Sequence, residues 1–371
     1  MKKKKILFLI FELGHGGAEK VLVNLVNNLS PEKYEITVFT IYNYGVNLGN
    51  LLPHIRHKYL FDCKPIRGLN VLLRMFSPGY LYRRVVKEHY DVEIAYLEGL
   101  PTRIIGCSPK PGVRKFAWVH GEVYDTFFRA FRSRKEACSC YNNFNSVTFV
   151  SESARDNFFK TTGWHLKSKV VYNVLEIDRI RSLAKEPIEQ ELRRDRINLC
   201  CVGKLDAGKG CDRLIRVVSR LKTAGKTNWH LYFLGDGNLR NKLEKMVIDG
   251  HLSADVTFLG YQTNPYKYVS KMNLLVCPSY REAFSTAVSE AVVVNTPFLT
   301  TDCSGMKEIL GDSNAGVIVE NSENGLYNEL SQICDNPDCL EKMRQDAVSR
   351  AVSFSTDQRI RQFENYIFND R

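Results

Sequence analysis

Two glutamates and two lysines carry the plainest chemistry in this chain. In REAFSTAVSEAVVVNTP, residues 281–297, Glu282 and Glu290 stand eight positions apart. On one continuous helix they would lie about 80° apart and about 12 Å along the axis. A better geometry puts Glu282 on a loop and Glu290 one turn inside a helix, bounded by Pro278 before and Pro297 after. Glu290 sits among Ala287, Val288, Ala291 and Val292. A carboxylate on such an apolar face must find donors, because burying it unpaired is costly; a ligand diol could supply them. Backbone N–H groups near Ser285, Thr286 and Ala287 would point at an anion such as phosphate. The plainer reading is a surface glutamate beside a core helix. No capping box accounts for the pattern, since Val288 follows Ser285 by three residues.

A second block, VGKLDAGKG at 202–210, offers Lys204 and Lys209 to neutralise a diphosphate. It is not a Walker loop, because the Gly-Lys-Ser/Thr ending is absent. Gly235-x-Gly237 would let backbone approach a ligand closely. Arg240 replaces the third glycine of a dinucleotide fingerprint, so an ordinary turn competes with that reading. His120 ends the apolar run before it and can reach a ligand or serve structurally. Gly14–Glu19 forms a tight glycine turn after the first apolar run.

The elements that must hold these residues alternate strand and helix. Strands are predicted at Lys5–Glu12, Tyr34–Tyr42, Val92–Tyr96, Lys115–Val119 and Val147–Val150. After a charged segment at 175–196 the pattern restarts, with strands at Ile197–Val202, His230–Leu234, Val256–Leu259, Leu274–Cys277 and Phe298–Thr301. Helices are predicted from about Ala18 to Leu29, Cys211 to Ala224, Leu239 to Asp249 and Thr286 to Val294. The 371 residues therefore read as two doubly wound α/β domains with parallel sheets, binding a ligand between them at the strands' carboxyl ends. The expected boundaries are 1–174, completed by a terminal helix at about 354–371; a linker at 175–196; and 197–353.

These pieces, in this order, resemble the family-4 glycosyltransferases of the GT-B fold. Gly16-Gly17-Ala18-Glu19 looks like that family's first-loop motif, and Val202-Gly203-Lys204 with Lys209-Gly210 resembles its Val-Gly-Arg … Lys-Gly motif. Gly235-Asp236-Gly237, Phe258-Leu259-Gly260, Glu282-Ala283-Phe284 … Glu290-Ala291 and Thr301–Gly305 with Glu308 follow in the family's order. The resemblance implies transfer of a hexose-type sugar from a nucleotide diphosphate sugar, with retention of configuration and no metal or other cofactor. UDP is the default nucleotide, and no residue excludes GDP. By that likeness Lys204 and Lys209 hold the diphosphate, Glu290 grips the ribose diol and Glu282 contacts sugar hydroxyls. The amides after Phe284, at Ser285 and Thr286, cradle donor oxygens. His120 contacts the sugar near the reacting carbon, Gly16 and Gly17 border the diphosphate, and Gly203, Gly235 and Tyr261 complete the donor side. His120, Lys209 and Glu282 form the catalytic set. Lys204 stands where arginine is common, and Ser285 and Ser304 replace frequent glycines. A nucleotide-sugar epimerase, a non-catalytic nucleotide-sugar-binding subunit and an NAD-dependent dehydrogenase are the competing readings.

The net charge of +11 is unevenly spread: residues 1–172 carry +12 and residues 173–371 carry −1. Between Arg56 and Lys87, eight basic residues, among them Arg67, Arg74, Arg83 and Arg84, face only Asp62. Large apolar residues interleave with them. A second patch runs from Phe127 to Lys135 and contains Arg129 and Arg132. Such mixtures suit a segment lying on an anionic bilayer, where each basic residue adds about 1 kcal/mol; a solvated basic face over an aromatic core is the alternative. The expected acceptor is a lipid-linked or polysaccharide glycan at the inner face of the cell membrane. Nucleic acid is not expected, since no recognition motif accompanies the charge. No run of about 18 apolar residues exists to span a membrane. The opening MKKKKILFLIFEL reads as a strand rather than a leader. Eleven cysteines without Cys-x-x-Cys or zinc spacing point to a reduced, cytoplasmic setting.

Overall fold

The computed structural model describes residues 2–66, 68–108, 110–121, 123 and 127–368, without the side chain of Asn70. Arg67 lies outside the described residues. The chain divides into two compact units, Met1–Leu175 with Asp357–Arg371, and Glu176–Thr356.

The first unit begins β1 (Lys4–Ile10), α1 (Gly17–Asn27), β2 (Tyr34–Tyr42), β3 (Arg56–Phe61), α2 (Leu69–Leu73) and α3 (Pro78–Val85). It continues β4 (Val92–Ala95), α4 (Leu100–Gly106), β5 (Arg114–Val119), α5 (Arg134–Asn142), β6 (Ser146–Phe149), α6 (Glu152–Thr162) and β7 (Ser168–Val170). Its seven strands lie in the order β3-β2-β1-β4-β5-β6-β7, all parallel. The second unit opens with α7 (Ile177–Ala184), β8 (Ile197–Val202), α8 (Cys211–Thr223), β9 (Trp229–Leu234), α9 (Arg240–Asp249), β10 (Val256–Gly260), α10 (Tyr266–Val269) and β11 (Leu274–Cys277). It closes with α11 (Thr286–Val293), β12 (Phe298–Thr301), α12 (Met306–Leu310), β13 (Gly316–Val319), α13 (Glu323–Asp335) and α14 (Cys339–Ala351). Its six parallel strands lie in the order β10-β9-β8-β11-β12-β13. The last helix, α15 (Thr356–Phe368), belongs to the first unit from Asp357 on.

Both sheets therefore reverse strand order once, between β1 and β4 and between β8 and β11. Two strands whose connections leave to opposite faces open a crevice at their carboxyl ends, where ligands bind in open α/β sheets. Helices on both faces bury the central strands entirely, which is why those strands read as unbroken apolar runs. Ile6 to Ile10 of β1 and all of β9 are buried.

Three strands escape the sequence reading: β3, β7 and β13. All three are sheet edges. An edge strand is paired on one side only and is often short or charged. β3 reads Arg-His-Lys-Tyr-Leu-Phe, and β7 has three residues. Residues 175–196 are not an open linker, because α7 lies within them as part of the second unit. All eleven cysteines are free thiols, seven of them buried.

α15 completes the core of the first unit. Phe363 stacks on Phe8 at 6.1 Å and packs against Trp118 at 5.8 Å. Tyr366 shares a 2.9 Å hydrogen bond with Thr148 of β6, and Tyr34 of β2 donates to Glu364 at 2.9 Å. Phe363 is only 1% exposed. Phe363→Ala should cost about 3–5 kcal/mol, read by urea unfolding; a loss near zero would mean that the helix is not part of this core.

Candidate active site

In the second unit the loops after β8 and β11 meet. Asp206 caps the turn Ala207–Lys209, its Oδ1 accepting from the Gly208 N–H at 3.0 Å. Gly210 follows with φ +66°, and a Cβ there would collide with the Pro278 carbonyl. Only glycine allows the two backbones to come this close. The Tyr280 N–H donates to the Gly208 carbonyl at 2.9 Å, tying the loops together. The result is an ion pair: Lys209 Nζ donates to Glu282 Oε1 at 2.6 Å, and Ser279 Oγ donates to the same oxygen at 2.8 Å. Burial of Lys209 alone would lower its pKa. The Glu282 carboxylate more than reverses this and holds the ammonium well above the usual lysine range.

The remaining expected residues of this unit lie on the loops after β8, β9, β10 and β11 and on α11. Gly203 follows β8 directly and Lys204 next to it is exposed. Gly235 follows β9 with φ +150°; a Cβ there would strike the Gly203 carbonyl, so these two loops also pack backbone to backbone. Tyr261 follows β10 and is 47% exposed. Phe284 and Ser285 are buried, and Ser285 is the N-cap of α11, its Oγ accepting from the Val288 N–H. Thr286 opens that helix, and Glu290 lies one turn further in, 6% exposed. Lysine and carboxylate, read separately from the sequence, are thus in direct contact. Among these residues are a fixed cation, an exposed lysine and the amino end of α11, groups that each favour an anionic phosphate ester.

Gly16, Gly17 and His120 belong to the first unit. Gly16 is the N-cap of α1 and Gly17 its first residue. His120 follows β5, its backbone N–H donating to Glu98 Oε2 at 3.1 Å. Its Nε2 is shielded and has no hydrogen-bond partner among the described residues. Desolvation pushes the imidazole down to about 3, against a hydrogen bond to the Tyr96 backbone. The ring is therefore neutral at physiological pH and offers Nε2 for hydrogen bonding rather than a charge. Burial pushes the Glu98 carboxyl up, opposed by the backbone N–H groups of His120, Glu98 and Gly121.

The basic stretch of this unit differs from its sequence reading. Arg56 pairs with Glu35 at 2.7 Å and with Glu88 at 2.9 Å, and Lys58 also pairs with Glu88. Both acids lie outside the 56–87 window, so two of its charges are already matched. Phe127 and Phe131 are buried in the core rather than presented with Arg129. Arg132 donates to the carbonyls of Arg74 at 3.1 Å and Met75 at 2.6 Å, so it also orders the chain after α2. Arg83, Arg84 and Arg129 remain exposed, and Arg74 is half-buried.

Sequence reasoning missed Arg213 and Ser279, which hold the Glu282 loop in the second unit, and, separately in the first unit, Glu98, which accepts from the His120 backbone. One signal was present. Arg213 shares the buried stripe of α8 with Val217 and Leu221, an odd place for an unneeded charge.

Residues 184–351 match the profile of the family described as "Glycosyl transferases group 1". The chain is 25% identical, over 95% of its length and 96% of the other's, to the N-acetylgalactosamine-N,N'-diacetylbacillosaminyl-diphospho-undecaprenol 4-alpha-N-acetylgalactosaminyltransferase of Campylobacter jejuni. Its fold is similar to that of Anabaena HepE, solved with UDP and glucose: TM-score 0.75, 16% identity, 99% of this chain and 100% of that one. It is also similar to the sucrose-phosphate synthase of Thermosynechococcus elongatus: TM-score 0.78, 16% identity, 98% of each chain.

His120 generates a pH dependence. An unfolded histidine titrates near 6.5, so between about pH 3 and 6.5 the unfolded chain binds the proton and the native chain does not. Stability must then fall as pH drops below 6.5, by up to about 1.4 kcal/mol per pH unit for each such histidine. His230, pushed down to about 4 by burial, acts in the same direction. His120→Asn should flatten the slope of unfolding free energy between pH 7 and pH 5; an unchanged slope would contradict a neutral buried imidazole.

Proposed function

We propose that this chain, a group 1 glycosyltransferase of the GT-B fold, moves a hexose-type sugar from a nucleotide diphosphate sugar, by default UDP-linked, to a lipid-linked or polysaccharide acceptor in surface-glycan synthesis. The carrying observation is the Lys209–Glu282 pair, locked between the β8 and β11 loops at the point of strand reversal. The bond from the sugar's anomeric carbon to the β-phosphate oxygen breaks, and its electron pair leaves with the nucleoside diphosphate. Lys209 and Lys204 neutralise that developing charge, a task which fixed cations perform without reorganising. The acceptor oxygen bonds the same face of the anomeric carbon, and its proton passes to the departing phosphate. Configuration is thereby retained, and neither a protein base nor a metal takes part in this scheme. Neutral His120 suits contact with sugar hydroxyls rather than proton removal.

The C. jejuni relative supports the acceptor class, since its name gives a diphospho-undecaprenol substrate and an alpha bond. No helix among the described residues is long and apolar enough to cross a membrane. A peripheral site on the cytoplasmic face fits the exposed Ile66, Val71, Leu72, Met75 and Phe76, with Met75 74% exposed. Arg83, Arg84 and Arg129 supply positive charge to the same unit.

Lys209→Ala and Glu282→Gln should each abolish sugar transfer in a chain that still unfolds cooperatively; full activity in both would sink the assignment. In wild-type protein the matching nucleoside diphosphate at 100 times its dissociation constant should add about 2.7 kcal/mol of stability. Flotation should show binding to vesicles containing anionic lipid, weakened by Met75→Asp and by salt. Equal binding to neutral vesicles would remove the electrostatic part of the membrane proposal.

A further inference from the structure

Arg213 is the most deeply buried charge of the second unit, 2% exposed, and among the described residues none of its hydrogen bonds goes to a carboxylate. Its Nε donates to the Pro278 carbonyl at 2.6 Å and its Nη2 to the Ser279 carbonyl at 2.5 Å. A further contact reaches Thr301 Oγ1 at 3.4 Å. The guanidinium lies over the Tyr280 ring, 4.1 Å from its centre. Thr301 Oγ1 also donates to the Ser279 carbonyl, at 2.6 Å. A charge placed so deeply costs desolvation, visible in a pKa pushed below the usual arginine range. Two adjacent carbonyls in a fixed fork geometry are what it obtains in return, and lysine could not reproduce that geometry.

Those carbonyls belong to the loop that begins at Pro278 and carries Ser279 and Glu282. Ser279 faces Arg213 through its carbonyl and Glu282 through its hydroxyl. Arg213 itself lies in the first turn of α8, four residues after Lys209, so it is closely joined to the other half of the ion pair. We propose that Arg213 is a positioning residue: it fixes the Pro278–Ser279 backbone so that the Glu282 carboxylate stays on Lys209. It is too buried to touch substrate and acts through the pair. This inference rests on the proposed function for its effect on transfer, but its effect on Lys209 does not.

The test is competitive acylation of the native protein with limiting acetic anhydride, with Lys209 and Lys204 quantified by fragment-ion mass spectrometry. Lys204 is exposed and serves as the internal reference. In Arg213→Met the Lys209:Lys204 labelling ratio should rise about tenfold, the change that one pKa unit produces in free amine. Arg213→Lys should give an intermediate ratio. Thr301→Val, close in shape, should raise the ratio about twofold, since it removes one of the donors to Ser279. Unchanged ratios in folded Arg213→Met, or in Thr301→Val if the former does not fold, overturn the proposal. With a competent donor, Arg213→Met should lower kcat far more than it raises KM; equal changes would mark a general loss of structure. If wild type shows no transfer with any nucleotide sugar, the functional reading fails while the labelling result still decides the role of Arg213.

Discussion

An ammonium half out of water is unstable unless something holds it there, and at Lys209 that something is one carboxylate oxygen 2.6 Å away. The pair joins loops more than seventy positions apart in the chain, and the local architecture serves to keep them joined. Gly210 removes the side chain that would separate the backbones. Tyr280 and Gly208 add a main-chain hydrogen bond, and Arg213 grips the far side of the Glu282 loop. A charge-assisted hydrogen bond contributes only about 1.5–3 kcal/mol. The geometry is therefore protected by many small constraints rather than by one strong contact.

What the sequence made legible followed burial. Central strands, covered on both faces, read as apolar runs, and Ile197–Val202, Leu274–Cys277 and Phe298–Thr301 match the observed limits. Edge strands β3 and β7 were illegible for the opposite reason, β3 being charged and β7 only three residues long; the length of β13 does not explain why it was missed, since β11 and β12 are as short. The two doubly wound sheets followed from the alternation. The positions of Lys209 on a turn, Glu282 on a loop and Glu290 one turn inside α11 followed from glycine and proline punctuation. Their mutual contact did not, because local pattern carries no information on which loops meet. Arg213 was hidden because a basic residue in an amphipathic helix reads as solvated until its partners are known.

The first unit shows how far a charge count can mislead. Arg56 and Lys58 look unopposed along the chain, yet the parallel pairing of β3 beside β2 brings Glu35 to Arg56, and Glu88 meets both bases. Sheet register, not sequence distance, decides which charges are spent. Large apolar residues were sorted in the same way: Phe127 and Phe131 went to the core, while Met75 and Phe76 stayed outside, their backbone carbonyls held by Arg132 and by buried Arg103.

The return of α15 to the first unit has a consequence for biosynthesis. Phe8, Trp118 and Thr148 wait for partners that are encoded after the whole of the second unit. On a ribosome the second unit, which is continuous in sequence, can emerge and fold while the first still presents an open aromatic face. Order of synthesis and order of completion are thus reversed. Until the closing helix arrives, that face is unpartnered apolar surface of the kind that makes partly folded chains prone to aggregate.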